Sequence, residues 1–253
     1  MSSAGPLEGV EALLFDVFGT VVNWEHSITR ELQAKSKGVD IDWNAFAKEW
    51  RKGYMITTRS VAAGGEGPSN VDVMHREILD RLLTETKWSA ISNIWNEDEK
   101  KDLVLAWHRL SGWPDTTEGL YALKKQLLIC TLSNGNVRLL ADMAKNADLP
   151  WDVIFSGELL GSYKPPRNPK TYLGAAYHLT LPPNKVAMVA AHYLDLKAAA
   201  SFGLKTVYVR RPTEDTVEER TGTKTKKEGG DVDVVVDSFT ELAEVLPKAR
   251  SLA

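Results

Sequence analysis

Asp16 lies in the run VEALLFDVFG (10–19), with apolar residues on both sides. A carboxylate there is costly to bury unless donors or a cation hold its charge, so something must face it. Gly19 and Thr20, just downstream, are placed to help. Three other segments carry polar side chains where an apolar run or a loop ends. They are Ser133 and Asn134 in TLSNG (131–135), Lys164 in SYKPP (162–166), and His192 and Asp195 in VAAHYLD (189–195). Histidine titrates near neutral pH, so His192 at a strand end facing Asp16 is a candidate general base for a water molecule. Taken singly, each residue has an ordinary alternative. Asp16 can cap a turn, SNG can be a bare turn, Lys164 a solvated loop residue, and His192 a packing group bonded to Asp195. The prolines after Lys164 stiffen its loop and count against simple solvation. His26, His75 and His108 show no metal-ligand spacing and are expected at the surface or in packing.

Parallel strands present such residues at their carboxyl ends, where ligands collect in doubly wound sheets. Four apolar runs followed by helix-like segments supply the strands: 10–19, 126–135, 185–192 and 204–211, with a fifth at 231–238. Apolar residues at three and four spacing in 119–126, 136–147, 169–179, 195–203 and 239–246 read as covering helices. Residues 23–111 have hardly any strand signal. Their helical spacing and many tryptophans predict an inserted helical cap, with helices at 44–59, 70–86 and 97–110 joined in part by the flexible turn AAGGEGPSN (62–70). The expected fold is therefore α/β, a Rossmann-like parallel sheet flanked by helices (8–22 and 112–253) with a helical cap inserted after the first strand. The segment 210–230 reads as a polar surface excursion, and its KTKK has no interleaved aromatic residues to suggest nucleic acid.

A net charge of -3 on 253 residues argues against a nucleic-acid partner and for a small or neutral one. Cys130 is the single cysteine and cannot form an internal disulfide, which favours a reducing compartment, the cytoplasm. The N-terminal MSSAGPLEG lacks the pattern of a signal peptide, and no apolar run is long enough for a membrane span.

In order along the chain, FDVFGTV (15–21), TLSNG, SYKPP and VAAHYLD resemble the four motifs of the haloacid dehalogenase superfamily. The first motif and the segment after it are most similar to the type II L-2-haloacid dehalogenases. The resemblance implies that Asp16 is a nucleophile, steadied by backbone amides of the tight turn and by the Thr20 hydroxyl. It implies that Lys164 keeps Asp16 ionised, that Ser133 binds a substrate carboxylate, and that Asn134 touches the leaving halide. Arg51, in EWRKGY, corresponds to a cap arginine that gathers the departing halide. Tyr172 corresponds to an active-site tyrosine, although its distance from Lys164 along the chain is longer than in the family. Asp195 is expected to orient Lys164 or His192.

Two departures from the superfamily's phosphatases decide the chemistry. Phe18 stands where they carry a second aspartate that protonates the leaving group, and Ala191 where they carry a metal-binding carboxylate. Phe18 matches the aromatic residue of the dehalogenases, part of an apolar wall suited to a carbon centre. A third departure is His192, where the better-known dehalogenases have asparagine. Trp24, at the junction of core and cap, is expected to close over a small organic acid. No metal and no cofactor is expected. The implied reaction has two steps. Asp16 displaces halide from C2 of a short (S)-2-haloacid with inversion, and water, activated by His192 or by Asp195 with Lys164, hydrolyses the ester to an (R)-2-hydroxy acid. A different small carboxylic acid, such as a strained cyclic one, is the alternative substrate. A magnesium-dependent phosphatase and a non-catalytic binding protein are less favoured. Partners other than the substrate are not expected, except that the resemblance leaves a homodimer open.

Overall fold

A computed structural model describes residues 5–68, 70–164 and 169–246. Pro165 and Pro166, the first four residues of the MSSAGPLEG stretch, Ser69 of the predicted turn, and the last residues of the predicted core segment lie outside them. Six parallel strands form one sheet: β1 (Ala12–Phe15), β2 (Leu128–Ser133), β3 (Val153–Ser156), β4 (Val186–Ala190), β5 (Lys205–Val209) and β6 (Val234–Val236). Their order is β3-β2-β1-β4-β5-β6, so β1 is central and the winding direction reverses beside it. Phe15 is in register with Thr131 on one side and Val189 on the other. Asp16, Ser133 and His192 therefore emerge at the same edge, in the crevice where such sheets bind ligands.

Every residue of β1 and β4 is buried, as strands covered on both faces must be. Four helices follow β1: α1 (Trp24–Ala34), α2 (Trp43–Ala62), α3 (Val71–Leu83) and α4 (Glu97–Leu105). The rest alternate with the later strands: α5 (Thr116–Lys124), α6 (Val137–Asn146), α7 (Gly157–Leu160), α8 (Lys170–His178), α9 (Tyr193–Ser201), α10 (Val217–Gly222) and α11 (Phe239–Val245). Alternate β1 side chains separate into two apolar layers. Leu13 and Phe15 join Leu120, Leu139 and Phe239 on one face, and Leu14 joins Tyr172, Ala175 and Leu196 on the other.

The insertion leaves and rejoins the sheet through two adjacent strands of chain. The Asn23 amide donates to the Ser111 carbonyl (2.9 Å) and the Trp113 amide to the Val21 carbonyl (3.3 Å). The helix expected at 97–110 starts in a capping box between Asn96 and Glu99, a device that satisfies two orphan donors at once.

Several elements differ from expectation. Each strand is shorter than its apolar run, and beyond β1, β2 and β4 the carboxyl ends of those runs turn away to make the site. β3 was not predicted: VIFS is short, and its outer residue Val153 is partly exposed, so it lacks the long apolar signature. α1 was not predicted either. The segment 210–230 is more than a surface excursion, since it contains α10 and the buried side chains of Arg211 and Glu214. Arg211 donates to the Thr20 carbonyl (2.9 Å) and, through both terminal nitrogens, to Asp115, with its guanidinium over the Trp113 and Phe239 rings. Among the described residues, no helix is long and apolar enough to cross a membrane. Cys130 is buried in β2, and burial pushes its thiol up to about 12, which keeps it unreactive.

Candidate active site

Asp16 follows directly on β1 and is 8% exposed. Both of its carboxylate oxygens are occupied. Oδ1 accepts from Lys164 Nζ (3.1 Å), and Oδ2 accepts from the Thr20 hydroxyl (2.8 Å) and faces His192 Nδ1 (3.0 Å). Burial opposes the charge, but Lys164, His192 and Thr20 outweigh it and hold the carboxyl well below the usual carboxylate range. Thr20 is itself tied to β4, since the Ala191 amide donates to its hydroxyl oxygen (2.8 Å). The expected backbone donors are not among the hydrogen bonds to Asp16. The Gly19 amide is spent on the Val22 carbonyl (3.1 Å), which closes the turn instead.

Lys164 is 4% exposed and bridges two carboxylates, reaching Asp195 Oδ2 at 2.5 Å as well as Asp16. Burial works against its charge, and Asp16 and Asp195 more than restore it, raising the ammonium above its ordinary value. Asp195, in the first turn of α9, takes the Tyr172 hydroxyl on its other oxygen (2.5 Å). Asp195 therefore faces Lys164 and not His192. Asn134 clamps the lysine loop through both backbone groups of Lys164: its amide nitrogen donates to the Lys164 carbonyl (2.7 Å) and its oxygen accepts from the Lys164 amide (2.6 Å). Ser133 Oγ accepts from the Gly135 amide (3.2 Å), which leaves the hydroxyl hydrogen free to donate.

These groups open onto a cavity of about 260 Å³. The polar groups Asp16, Lys164, His192, Asp195, Ser133 and Asn134 line it together with Phe18, Arg51 and Tyr54. Arg51 comes from α2. Its Cζ lies 4.8 Å from the Tyr54 ring, 5.2 Å from Phe18 and 5.6 Å from Trp24, and its buried Nη1 has no hydrogen-bond partner. A cation in an aromatic cage with an unused donor is suited to hold an anion. Behind it, His75 is stacked between Tyr54 (5.1 Å) and Trp107 (4.1 Å). Burial first, and then the charges of Arg51 and His108, keep His75 well below its ordinary value and thus neutral.

Two expected substrate contacts sit elsewhere. Neither Trp24 nor Tyr172 is among the residues lining the cavity. Trp24 is turned by the bond from its indole N–H to Glu214 (2.7 Å) and stacks against Trp107, so it backs Arg51 and does not face the cavity. Tyr172 is wholly buried beneath Asp195 and stacks on Phe202. Two participants were missed by sequence reasoning. Tyr54 stands three residues after Arg51 in EWRKGY and shares its helix face, a spacing that was available to find it. Glu214 follows β5, whose carboxyl end belongs to the same edge, but its surroundings in RRPTEDTV are those of a polar loop.

The donors do not suit a magnesium ion. The neighbouring positions hold Phe18 and Ala191, which offer no side-chain oxygen, and Lys164 already occupies the space between Asp16 and Asp195. Among the described residues, no group of three or more metal-type side chains could hold a metal ion.

Known proteins resemble this chain over most of its length. It is 35% identical over 212 residues to (S)-2-haloacid dehalogenase 1 of Pseudomonas sp. (strain CBS-3), covering 81% of this chain and 86% of that one. It is 29% identical over 219 residues to (S)-2-haloacid dehalogenase 4A of Burkholderia cepacia, covering 81% and 85% respectively. The crystal structure of a defluorinating L-2-haloacid dehalogenase superposes with a TM-score of 0.82 at 38% identity, over 93% of this chain and 94% of the other. The family model for haloacid dehalogenase-like hydrolases matches residues 10–203, and with these relatives it shows that the chain belongs to that family.

Proposed function

We propose that the protein is a hydrolase that removes halide from short (S)-2-haloacids, giving (R)-2-hydroxy acids through an ester on Asp16. The observation that carries this reading is the pairing across one cavity of an ionised carboxylate, Asp16, with a buried guanidinium, Arg51, whose Nη1 is unpartnered. The relatives act on this substrate class by name. Phe18 gives the carbon centre an apolar wall, and Ser133 offers a hydroxyl to the substrate carboxylate. Asp16 attacks C2 from the side opposite the halide, forming a C–O bond as the C–halide bond breaks, and Arg51 receives the anion. The inserted helices act as the cap that brings Arg51 and Tyr54 over the sheet edge.

Hydrolysis of the ester needs a base beside the Asp16 carboxyl carbon. His192, at 3.0 Å from Asp16 Oδ2, fits that role better than Asp195, whose two oxygens are taken by Lys164 and Tyr172. Lys164 on Oδ1 and Thr20 on Oδ2 leave a donor on whichever Asp16 oxygen remains the carbonyl, polarising it during attack, and Asn134 acts by holding the Lys164 loop.

Halide release from (S)-2-chloropropionate in the presence of EDTA tests the activity. A single turnover in oxygen-18 water tests the chemistry: the first product should carry unlabelled oxygen, with the label entering Asp16. Label in the first product, or no halide from any small 2-haloacid, would overturn the proposal.

A further inference from the structure

Glu214 is 6% exposed and its carboxylate is committed on both oxygens. Oε2 lies 2.9 Å from His192 Nε2, while Oε1 accepts from Trp24 Nε1 (2.7 Å) and from the Thr213 hydroxyl (3.2 Å). The loop that delivers it is anchored at several points. Arg220 donates to the Glu214 and Asp215 carbonyls (2.7 and 2.8 Å), and Asp215 Oδ2 accepts from the Tyr193 amide and the Tyr208 hydroxyl. Asp215 adopts a φ of 43°, a left-handed conformation that a non-glycine residue takes only when its surroundings enforce it. On the other side, the carboxylate presses against Gly19, where a Cβ would overlap it. A buried carboxylate held so firmly beside His192 needs a function.

We infer that Glu214 is the positioning residue of the hydrolytic step: it holds His192 with Nδ1 aimed at the Asp16 carboxyl group, and lets the loss of charge on Asp16 turn this histidine into a base. The inference rests on the proposed ester mechanism. The charges around the imidazole come from four elements. Asp16 after β1 and Glu214 after β5 face its two nitrogens, Asp215 lies beside Glu214, Lys164 faces Asp16, and Arg51 from α2 acts on Glu214. In the resting enzyme both ring nitrogens face carboxylates. Burial opposes a charge on the imidazole, but the bonds to Asp16 and Glu214 push it up to about 10, so it is an imidazolium paired with Asp16.

Esterification removes the Asp16 charge while Lys164, Arg51 and Glu214 keep theirs. The imidazolium then has one anionic partner where it had two, and it loses the Nδ1 proton to solvent through the cavity as halide departs. Glu214 retains the Nε2 proton and the ring orientation. Water next forms a bond to the Asp16 carboxyl carbon as Nδ1 takes one of its protons. Collapse breaks the bond between the Asp16 carboxyl carbon and the ester oxygen, which departs on C2 with the remaining proton and leaves Asp16 as a carboxylate. The imidazolium–carboxylate pair is restored, and the sum is halide, hydroxy acid and one proton from haloacid and water.

The test is Glu214→Gln, which keeps shape and removes charge. Halide release in a single turnover should stay within about threefold of the parent, while ester hydrolysis slows by about 10²-fold, the scale of a mispositioned base. Intact mass should then show the ester accumulating on Asp16 during turnover. The acid limb of the kcat profile should move to lower pH, because a carboxylate that raises the imidazole is gone. An unchanged kcat, an unmoved acid limb, or equal slowing of both half-reactions would overturn the inference. A nitrogen-15 spectrum of the parent enzyme needs no variant: at neutral pH the resting His192 ring should carry protons on both nitrogens, and a neutral ring would sink the inference. His192→Asn separates the two levels. Ester accumulating in His192→Asn but not in Glu214→Gln refutes only the role of Glu214, whereas no halide release by the parent enzyme refutes the proposed function.

Discussion

Replacing Arg51 by methionine separates binding of the departing anion from stability of the fold. Methionine keeps much of the aliphatic stem among Phe18, Trp24 and Tyr54 and deletes the charge. A halide about 4 Å from a guanidinium gains about 4 kcal/mol at an effective dielectric constant of about 20. Water entering the enlarged cavity recovers part of this, leaving about 2–4 kcal/mol, or about 30- to 1000-fold in the rate of ester formation. Stability should respond in a different sense. The guanidinium is 7% exposed with Nη1 unsatisfied, and relief of a buried unpaired donor is worth about 1–3 kcal/mol. Loss of the three buried ring contacts, partly replaced by the thioether against the same rings, costs a net of about 0.5–1 kcal/mol each and offsets it. Arg51→Met should therefore melt within about 2–4 °C of the parent, the span of about 1 kcal/mol at this chain length, while halide release falls steeply. Rapid-quench halide assays and calorimetry on the same preparation read both quantities. Parental halide release, or collapse of the melting temperature with activity retained, would refute Arg51 as the anion's partner.

Asp16→Asn should abolish halide release and the mass adduct together, measured by halide assay and intact mass after incubation with (S)-2-chloropropionate. Gly19→Ala forces a side chain onto a residue at φ 86° and into the Glu214 carboxylate, so ester hydrolysis should slow more than ester formation, and the melting temperature should fall. His108 bridges Asp72 and Asp142 at 3.0 Å each, tying the insertion to α6. Burial opposes its charge, but the two aspartates raise it above the ordinary 6.5. The folded value exceeds the unfolded one, so this clasp contributes fully below about 6.5 and is lost as pH rises through the folded value. The melting-temperature gap between the parent and His108→Gln should be widest at acid pH and shrink as pH rises; a gap independent of pH would contradict the ionic clasp.

Asp16 and His192 could be named from the chain because each stands where an apolar run gives way to polar residues and parallel strands deliver such ends to one edge, while Thr20, Lys164 and Asp195 were named through the resemblance of their motifs to the family. Set against the carboxylates that the resembling phosphatases carry at these positions, Phe18 and Ala191 turned attention from phosphorus to carbon, since neither can donate a proton or bind a hard cation. The partners of those residues were not readable in the same way. Glu214 meets Trp24 across 190 positions and His192 across 22, and its local sequence is that of a solvated loop until β5 and α10 bring it inward. Trp24 and Tyr172 were expected at the cavity because residue type was known but side-chain direction was not; the indole bond to Glu214 and the hydroxyl bond to Asp195 turn them away from it. Local sequence thus determined which groups reach the sheet edge, through periodicity and the cost of burying charge. Only tertiary packing decided which donor meets which acceptor, because that depends on loops closing over long separations onto a shared site.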